Sequence, residues 1–154
     1  RTAGGRVGSG GSVGWGGSGG EADGTQINNA SVVVFAEVQG LRVMALGDVE
    51  PEAQRPLLRK ILGASARAAS GGLAPVDVVV VAHHGSARQE PRLYRLLRPR
   101  VALIGVGVDN DYGHPAPSAM TMLRQIGTLA LRTDQQGHLA VSGPAERLRV
   151  TTSR

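Results

Sequence analysis

With 154 residues and 41% hydrophobic content, the chain can bury one real core, and a single domain is the natural reading. It has no cysteine, which excludes disulfides, thiolate zinc sites and a cysteine nucleophile, and leaves the redox compartment open. The net charge of +5 is carried by arginine apart from Lys60. That balance suits a polyanionic partner such as nucleic acid, and it equally follows from a composition rich in Arg, Ala and Gly. No apolar run approaches the ~18–20 residues of a membrane span, and no signal peptide is visible. The first residue is Arg1 rather than methionine, from which we expect a fragment of something longer.

Residues 1–26 are low in complexity, with an almost unbroken Gly/Ser run from Gly8 to Gly20 around the lone Trp15. Such chain loses too much entropy on ordering to form an element, so we expect a disordered linker or insertion. Folded sequence is expected over 27–154. Ser31–Val38 and Leu41–Leu46 read as strands joined by a turn at Gln39-Gly40. Pro51 opens a helix with Ala53, Leu57, Leu58, Ile61 and Leu62 on one face, ended by Gly63, with Pro56 awkward inside it. Residues 64–75 read as loop. Val76–Ala82 reads as a strand buried on both faces. A short helix from Pro91 stops at Pro99, and Val101–Val108 is a further buried strand. A third helix runs from Pro117 to Gly127. Thr128–Arg132 and Leu139–Ser142 read as a strand pair across Asp134–Gly137, and the tail from Pro144 as strand or coil. The order β-β-α-β-α-β-α-β-β implies an α/β fold, with helices packed on a mixed sheet.

The stretch Val78–Ala82 runs straight into His83-His84-Gly85-Ser86. In open α/β sheets, chemistry gathers at the carboxyl ends of strands. The other strand ends deliver Gly47-Asp48, Asn110 with His114, and Thr133-Asp134. Carboxylate plus imidazole from several strand ends is a ligand set for Zn²⁺, Mn²⁺ or a related ion. Each residue also has a plainer use. Asp48 suits a helix cap or turn, either adjacent histidine a structural hydrogen bond, and Ser86 a cap on the next helix. His114 suits the loop before Pro115, Asn110 a left-handed backbone position, and Asp134 its turn. Three of the four histidines fall at strand ends beside a Gly-Asp, which favours a metal site. His138 reads as structural. A Ser-His-Asp triad through Ser86 competes, but no Gly-x-Ser-x-Gly elbow surrounds it.

Five motifs occur in order: Asn29-x-Ser31, Ala45-Leu46-Gly47-Asp48, His83-His84-Gly85-Ser86, Asn110-x-Tyr112-Gly113-His114-Pro115 and Arg132-Thr133-Asp134-x-x-Gly137. Over about residues 27–142 the chain resembles the C-terminal part of the metallo-β-lactamase-like domain of the ComEC class of DNA-uptake competence proteins. The resemblance implies part of an αββα sandwich with a metal-dependent hydrolase site at one edge, holding two divalent ions (Zn or Mn) when complete. It places Asp48 as the bridging ligand, with His83, His84 and His114 as further candidates; Asp48, His83 and His84 are the candidate catalytic groups. It implies DNA as substrate, cleaved by phosphodiester hydrolysis. Ser86, Arg88 and Asn110 become candidate substrate-binding residues. Arg88, Arg92 and Arg95 could hold phosphates, although a solvated helix face explains that charge run as well. The other implied partners are a membrane channel and the rest of the domain, with the domain on the outer side of the cell membrane.

One departure counts. Such folds take their first ligands from a His-x-His/Asp-x-Asp-His motif in the N-terminal half, and no histidine precedes His83. We therefore expect this chain to be inactive alone and to expose apolar sheet surface. The alternatives are a non-catalytic DNA-binding or scaffolding domain, and a soluble hydrolase of the same fold with another substrate.

Overall fold

The computed structural model describes residues 23–67 and 72–154. The Gly-rich stretch up to residue 22, Trp15 included, lies outside the described residues, as do positions 68–71. The first described element is a short helix, α1 (Gly24–Asn29), which begins just ahead of the expected boundary at Ile27 and is capped by the Asp23 carboxylate. Strands β1 (Val34–Val38) and β2 (Leu41–Ala45) form the expected antiparallel hairpin. Gln39 and Gly40 both take positive φ, 52° and 78°, as a two-residue type I′ turn requires.

Helix α2 (Pro51–Arg67) follows, then β3 (Val78–Val80), a tight turn at Ala82–Gly85, α3 (Pro91–Leu97), β4 (Val101–Ile104), α4 (Pro117–Gln125) and β5 (Leu129–Arg132). The five strands make one mixed sheet in chain order, with β1 antiparallel and β2 through β5 mutually parallel. The α/β class with helices on a mixed sheet is as expected. Among the described residues, no helix is long and apolar enough to cross a membrane.

Three expectations need correction. Gly63 does not end α2, which continues to Arg67; a glycine inside a helix costs about 1 kcal/mol but does not forbid it. The strand expected to reach Val108 stops at Ile104, because Val106 N–H bonds the Thr133 hydroxyl instead of continuing the ladder. Residues 128–132 and 139–142 are not partners. The residues between them wind into a helical turn, α5 (Thr133–Gln136), and the Gln136 side chain accepts from Arg132 N–H. β5 then pairs with β4, while β6 (Leu139–Ser142) pairs antiparallel with β7 (Arg149–Thr152) in a separate two-stranded sheet.

Two apolar clusters hold the layers. On one face, Met44, Val79, Ala102 and Ile104 meet Leu58 and Ile61 of α2, Leu93 and Leu97 of α3, and Leu123 of α4. On the other, Leu41, Val78 and Val101 meet Val141, Leu148 and Val150 from the β6–β7 segment. The order is helices, five-stranded sheet, two-stranded sheet.

Among the described residues, the second layer does not extend over β1. Val32, Val34 and Val38 are 78%, 50% and 63% exposed. They alternate along the chain, and Val38 and Val34 lie opposite Leu41 and Ala45 in register. They therefore form an apolar stripe on one face of an edge strand, which is the exposed apolar sheet surface anticipated.

Urea unfolding tests this layering. Ile61→Ala, in the fully buried cluster, should cost about 2–5 kcal/mol. Val38→Ser should stay within about 0.5 kcal/mol. A large loss at Val38 would mean that β1 is covered.

Candidate functional site

Because β2 through β5 are parallel, their carboxyl ends share one edge, and a pocket of about 870 Å³ opens there. Its lining includes Asp48 after β2, His83 and His84 after β3, Asn110 and His114 after β4, and Thr133 after β5. All four candidate ligands thus reach one cavity.

Asp48 is placed by residues well before it. Ser31 Oγ accepts from Asp48 N–H at 3.1 Å, and Asn29 Oδ1 accepts from Glu50 N–H at 2.8 Å. Gly47 has φ of +60°, and a Cβ there would lie 2.9 Å from the Ser31 Cβ. The Asn29-x-Ser31 motif is therefore the mould of the Gly47–Glu50 loop. Gly47 carbonyl in turn accepts from His83 N–H at 2.9 Å, joining the first strand end to the second.

His83, His84 and Gly85 all have left-handed backbones, with φ of 45°, 53° and 77°. For a residue with a Cβ this costs of order 1–2 kcal/mol. Beneath the turn lies a polar network. Gln89 Nε2 donates to the carbonyls of Ala82 (3.0 Å) and Ser86 (3.1 Å), while its Oε1 accepts from Tyr94 O–H (2.7 Å) and Gln54 Nε2 (3.2 Å). Gln54 also donates to Val49 carbonyl, and Tyr94 Oη accepts from Ala82 N–H. Gln54 and Tyr94 are fully buried, and burial raises the Tyr94 phenol well above its ordinary range. Above the turn, Gly85 carbonyl accepts from Ala116 N–H at 2.7 Å, and a Cβ on Gly85 would come within 2.7 Å of the Pro115 Cβ.

The His84 ring has a defined tautomer. Its Nδ1 lies 2.6 Å from Gly105 carbonyl oxygen, which can only accept, so Nδ1 carries the proton. Neutral His84 therefore has an unprotonated Nε2, and this faces Asp48 Oδ1 at 3.7 Å. His83 and His114 stand edge to face with ring centroids 5.4 Å apart, and the Nδ1 of each is buried without a hydrogen-bond partner among the described residues.

The candidate substrate-binding residues are otherwise engaged. Ser86 is buried, and its N–H donates to His83 carbonyl. Arg88 grips Glu50 (Nε to Oε2, 2.7 Å) and Glu52 (2.9 Å), so its charge is already met by two carboxylates. Asn110 lines the pocket, but its side chain closes its own loop, donating to His114 carbonyl and accepting from Tyr112 N–H. It is not left-handed. Asp134 pairs with Arg132, whose hydrogen bond holds its carboxyl below the usual range. His138 sits apart, its N–H bonded to Ser153 Oγ. The sequence reading missed Glu50, Gln54, Gln89 and Tyr94, and it named Thr133 only as part of a strand end. The Thr133 hydroxyl ties β5 to the loop after β4 by accepting from Val106 N–H and donating to Val106 carbonyl.

The donor chemistry suits a divalent ion, since an imidazole lone pair faces a carboxylate and two further imidazoles stand close by. Among the described residues, however, no three His, Asp or Glu side chains are arranged to hold one ion. These residues do not fit a complete metal site by themselves.

Burial lowers the His114 imidazole below its ordinary range, and the nearby His83 and His84 lower it further. A depressed folded value means that the neutral ring stabilises the fold above the unfolded value of about 6.5. That contribution is lost as the pH falls through the folded value. Ring NMR should place the His114 midpoint below 6.5, and His83→Asn should move it upward. A midpoint at or above 6.5 in the parent chain would contradict the geometry.

No family model and no solved structure matches the chain. It is 31% identical over 111 residues to ComE operon protein 3 of Bacillus subtilis (strain 168). The match covers 71% of this chain and 13% of that protein. The chain is thus related, over most of its length, to a short segment of ComE operon protein 3.

Proposed function

We propose that this chain is part of a metal-dependent hydrolase domain of a ComEC-class protein, acting on DNA phosphodiesters during uptake in natural competence. The observation that carries this reading is the meeting of Asp48, His83, His84 and His114 around one pocket at the carboxyl edge of the sheet. The order of motifs and the relationship to ComE operon protein 3 support it. So does the layer order, which is what one half of an αββα metallo-β-lactamase-like sandwich would supply. In this reading residues 27–154 form the C-terminal half of that domain, with the Gly-rich segment as a linker or insertion. The longer protein belongs to the cell membrane, with a membrane channel and the other half of the domain as partners.

A bound divalent ion, Zn or Mn, would supply Lewis-acid chemistry for phosphodiester hydrolysis. The chain's own residues do simpler work. Asp48 and His84 offer adjacent oxygen and nitrogen donors, with His83 and His114 beside them. Ligands from outside this chain complete the site. Arg88 has its charge met by Glu50 and Glu52 within the chain, while Arg92 and Arg95 are exposed on α3 as further candidate phosphate contacts.

A second reading, a DNA-binding or scaffolding domain without catalysis, is favoured by one fact: no three-donor group is assembled among the described residues. Two measurements separate them. In the full-length protein, Asp48→Ala should reduce metal-dependent DNA cleavage by more than the ~10–100-fold typical of losing an outer partner, with DNA binding largely kept. Unchanged cleavage would remove Asp48 from the site; no cleavage in the parent protein would favour the second reading. Calorimetric titration of the present chain with Zn²⁺ or Mn²⁺ should show no pair of tightly bound ions. Stoichiometric uptake of two would contradict the incomplete site.

A further inference from the structure

Glu50 is a buried carboxylate whose side chain does not cap the helix it precedes. Its backbone carbonyl accepts from Ala53 and Gln54 N–H at 2.9 Å each, which starts α2. An acidic side chain at such a position ordinarily turns inward to the first free N–H groups of its helix. The Glu50 carboxylate instead points back toward the strand-end turn. Asn28 Nδ2 donates to Oε1 at 3.0 Å and Arg88 Nε to Oε2 at 2.7 Å, while Asn29 Oδ1 holds the Glu50 N–H. Burial alone would raise this carboxyl, but the bonds from Asn28 and Arg88 outweigh it and keep it below the usual range.

The anchored carboxylate faces His83. Oε1 lies 3.5 Å from His83 Nδ1, a nitrogen that is buried and has no hydrogen-bond partner among the described residues. Buried polar atoms in native folds nearly always find a partner. A lone pair on Nδ1 would be repelled by the adjacent carboxylate, whereas an N–H there would be attracted.

We infer that Glu50 is a positioning residue for His83: its carboxylate accepts a hydrogen bond from Nδ1–H, which keeps the proton on Nδ1 and leaves Nε2 unprotonated. Arg88 and Asn28 hold the carboxylate in place for that purpose. His84 reaches the same state by a different route, through Gly105 carbonyl. The two adjacent histidines then both have a free Nε2, the form in which an imidazole binds a metal. The use of that form rests on the proposed metal site. The tautomer itself does not, so the two can fail separately.

Ring-nitrogen NMR of this chain without added metal, at about pH 8.5 where ordinary histidines are neutral, tests the inference. Parent His83 should show Nδ1–H over Nε2–H by roughly tenfold or more, as a charge-assisted bond gives. Glu50→Gln should erase that preference at His83 and leave the His84 ring unchanged. A parent His83 protonated on Nε2 overturns the inference without any variant. So does an unaltered His83 ring in folded Glu50→Gln. If Glu50→Gln fails to fold, Arg88→Ala replaces it: releasing the carboxylate should weaken the His83 preference, and an unchanged ring again overturns the inference.

Discussion

The turn at His83-His84-Gly85 is the constraint on which the rest of the site depends. Three consecutive left-handed residues, two of them with a Cβ, are intrinsically unfavourable by a few kcal/mol in sum. The surroundings hold them on every side. Gly47 carbonyl fixes the entry, the Gln89 amide spans Ala82 and Ser86 from below, and Ala116 N–H with Pro115 closes on Gly85 from above. The result is that two imidazoles leave a single turn in different directions. One reaches Asp48 and the other reaches Glu50 and His114. An ordinary strand-to-helix connection would present one side chain and bury the next.

The same turn ties the strand ends together. Asn29 and Ser31 shape the loop that carries Asp48; that loop supplies Gly47 carbonyl to His83; His84 bonds Gly105 after β4; and Thr133 after β5 holds Val106. Backbone carbonyls and small hydroxyls, rather than ion pairs, set the geometry of the pocket. The ion pairs lie just outside it, where Arg88 joins Glu50 to Glu52 and Arg132 meets Asp134.

Much of this was legible in the sequence, because it depends on short local patterns. Valine runs mark the parallel strands, Gln39-Gly40 marks a hairpin, and proline opens three helices. The alignment of strand ends then follows from topology. What escaped the sequence depends on distant partners. Asn110 and Arg88 have the chemistry of substrate contacts, but one closes its own loop and the other is neutralised by two glutamates. Gln54 and Tyr94 sit inside helices and Gln89 in the stretch before α3, and no spacing rule identifies from them a network under a turn. β5 and β6 each read as strands, yet the sequence pattern does not say which strand is the neighbour. The bare valine face of β1 was foreseeable in kind, from the missing ligand motif, but its position required the register.

The central claim is that this edge is one wall of a metal site completed from outside the chain. A crystal of the full-length protein grown with Zn²⁺ or Mn²⁺ tests it through anomalous scattering. The account predicts an ion held by Asp48 together with one or more of His83, His84 and His114, with remaining ligands from residues beyond this chain. An ion bound elsewhere, or one coordinated fully by this chain's own residues, would contradict it.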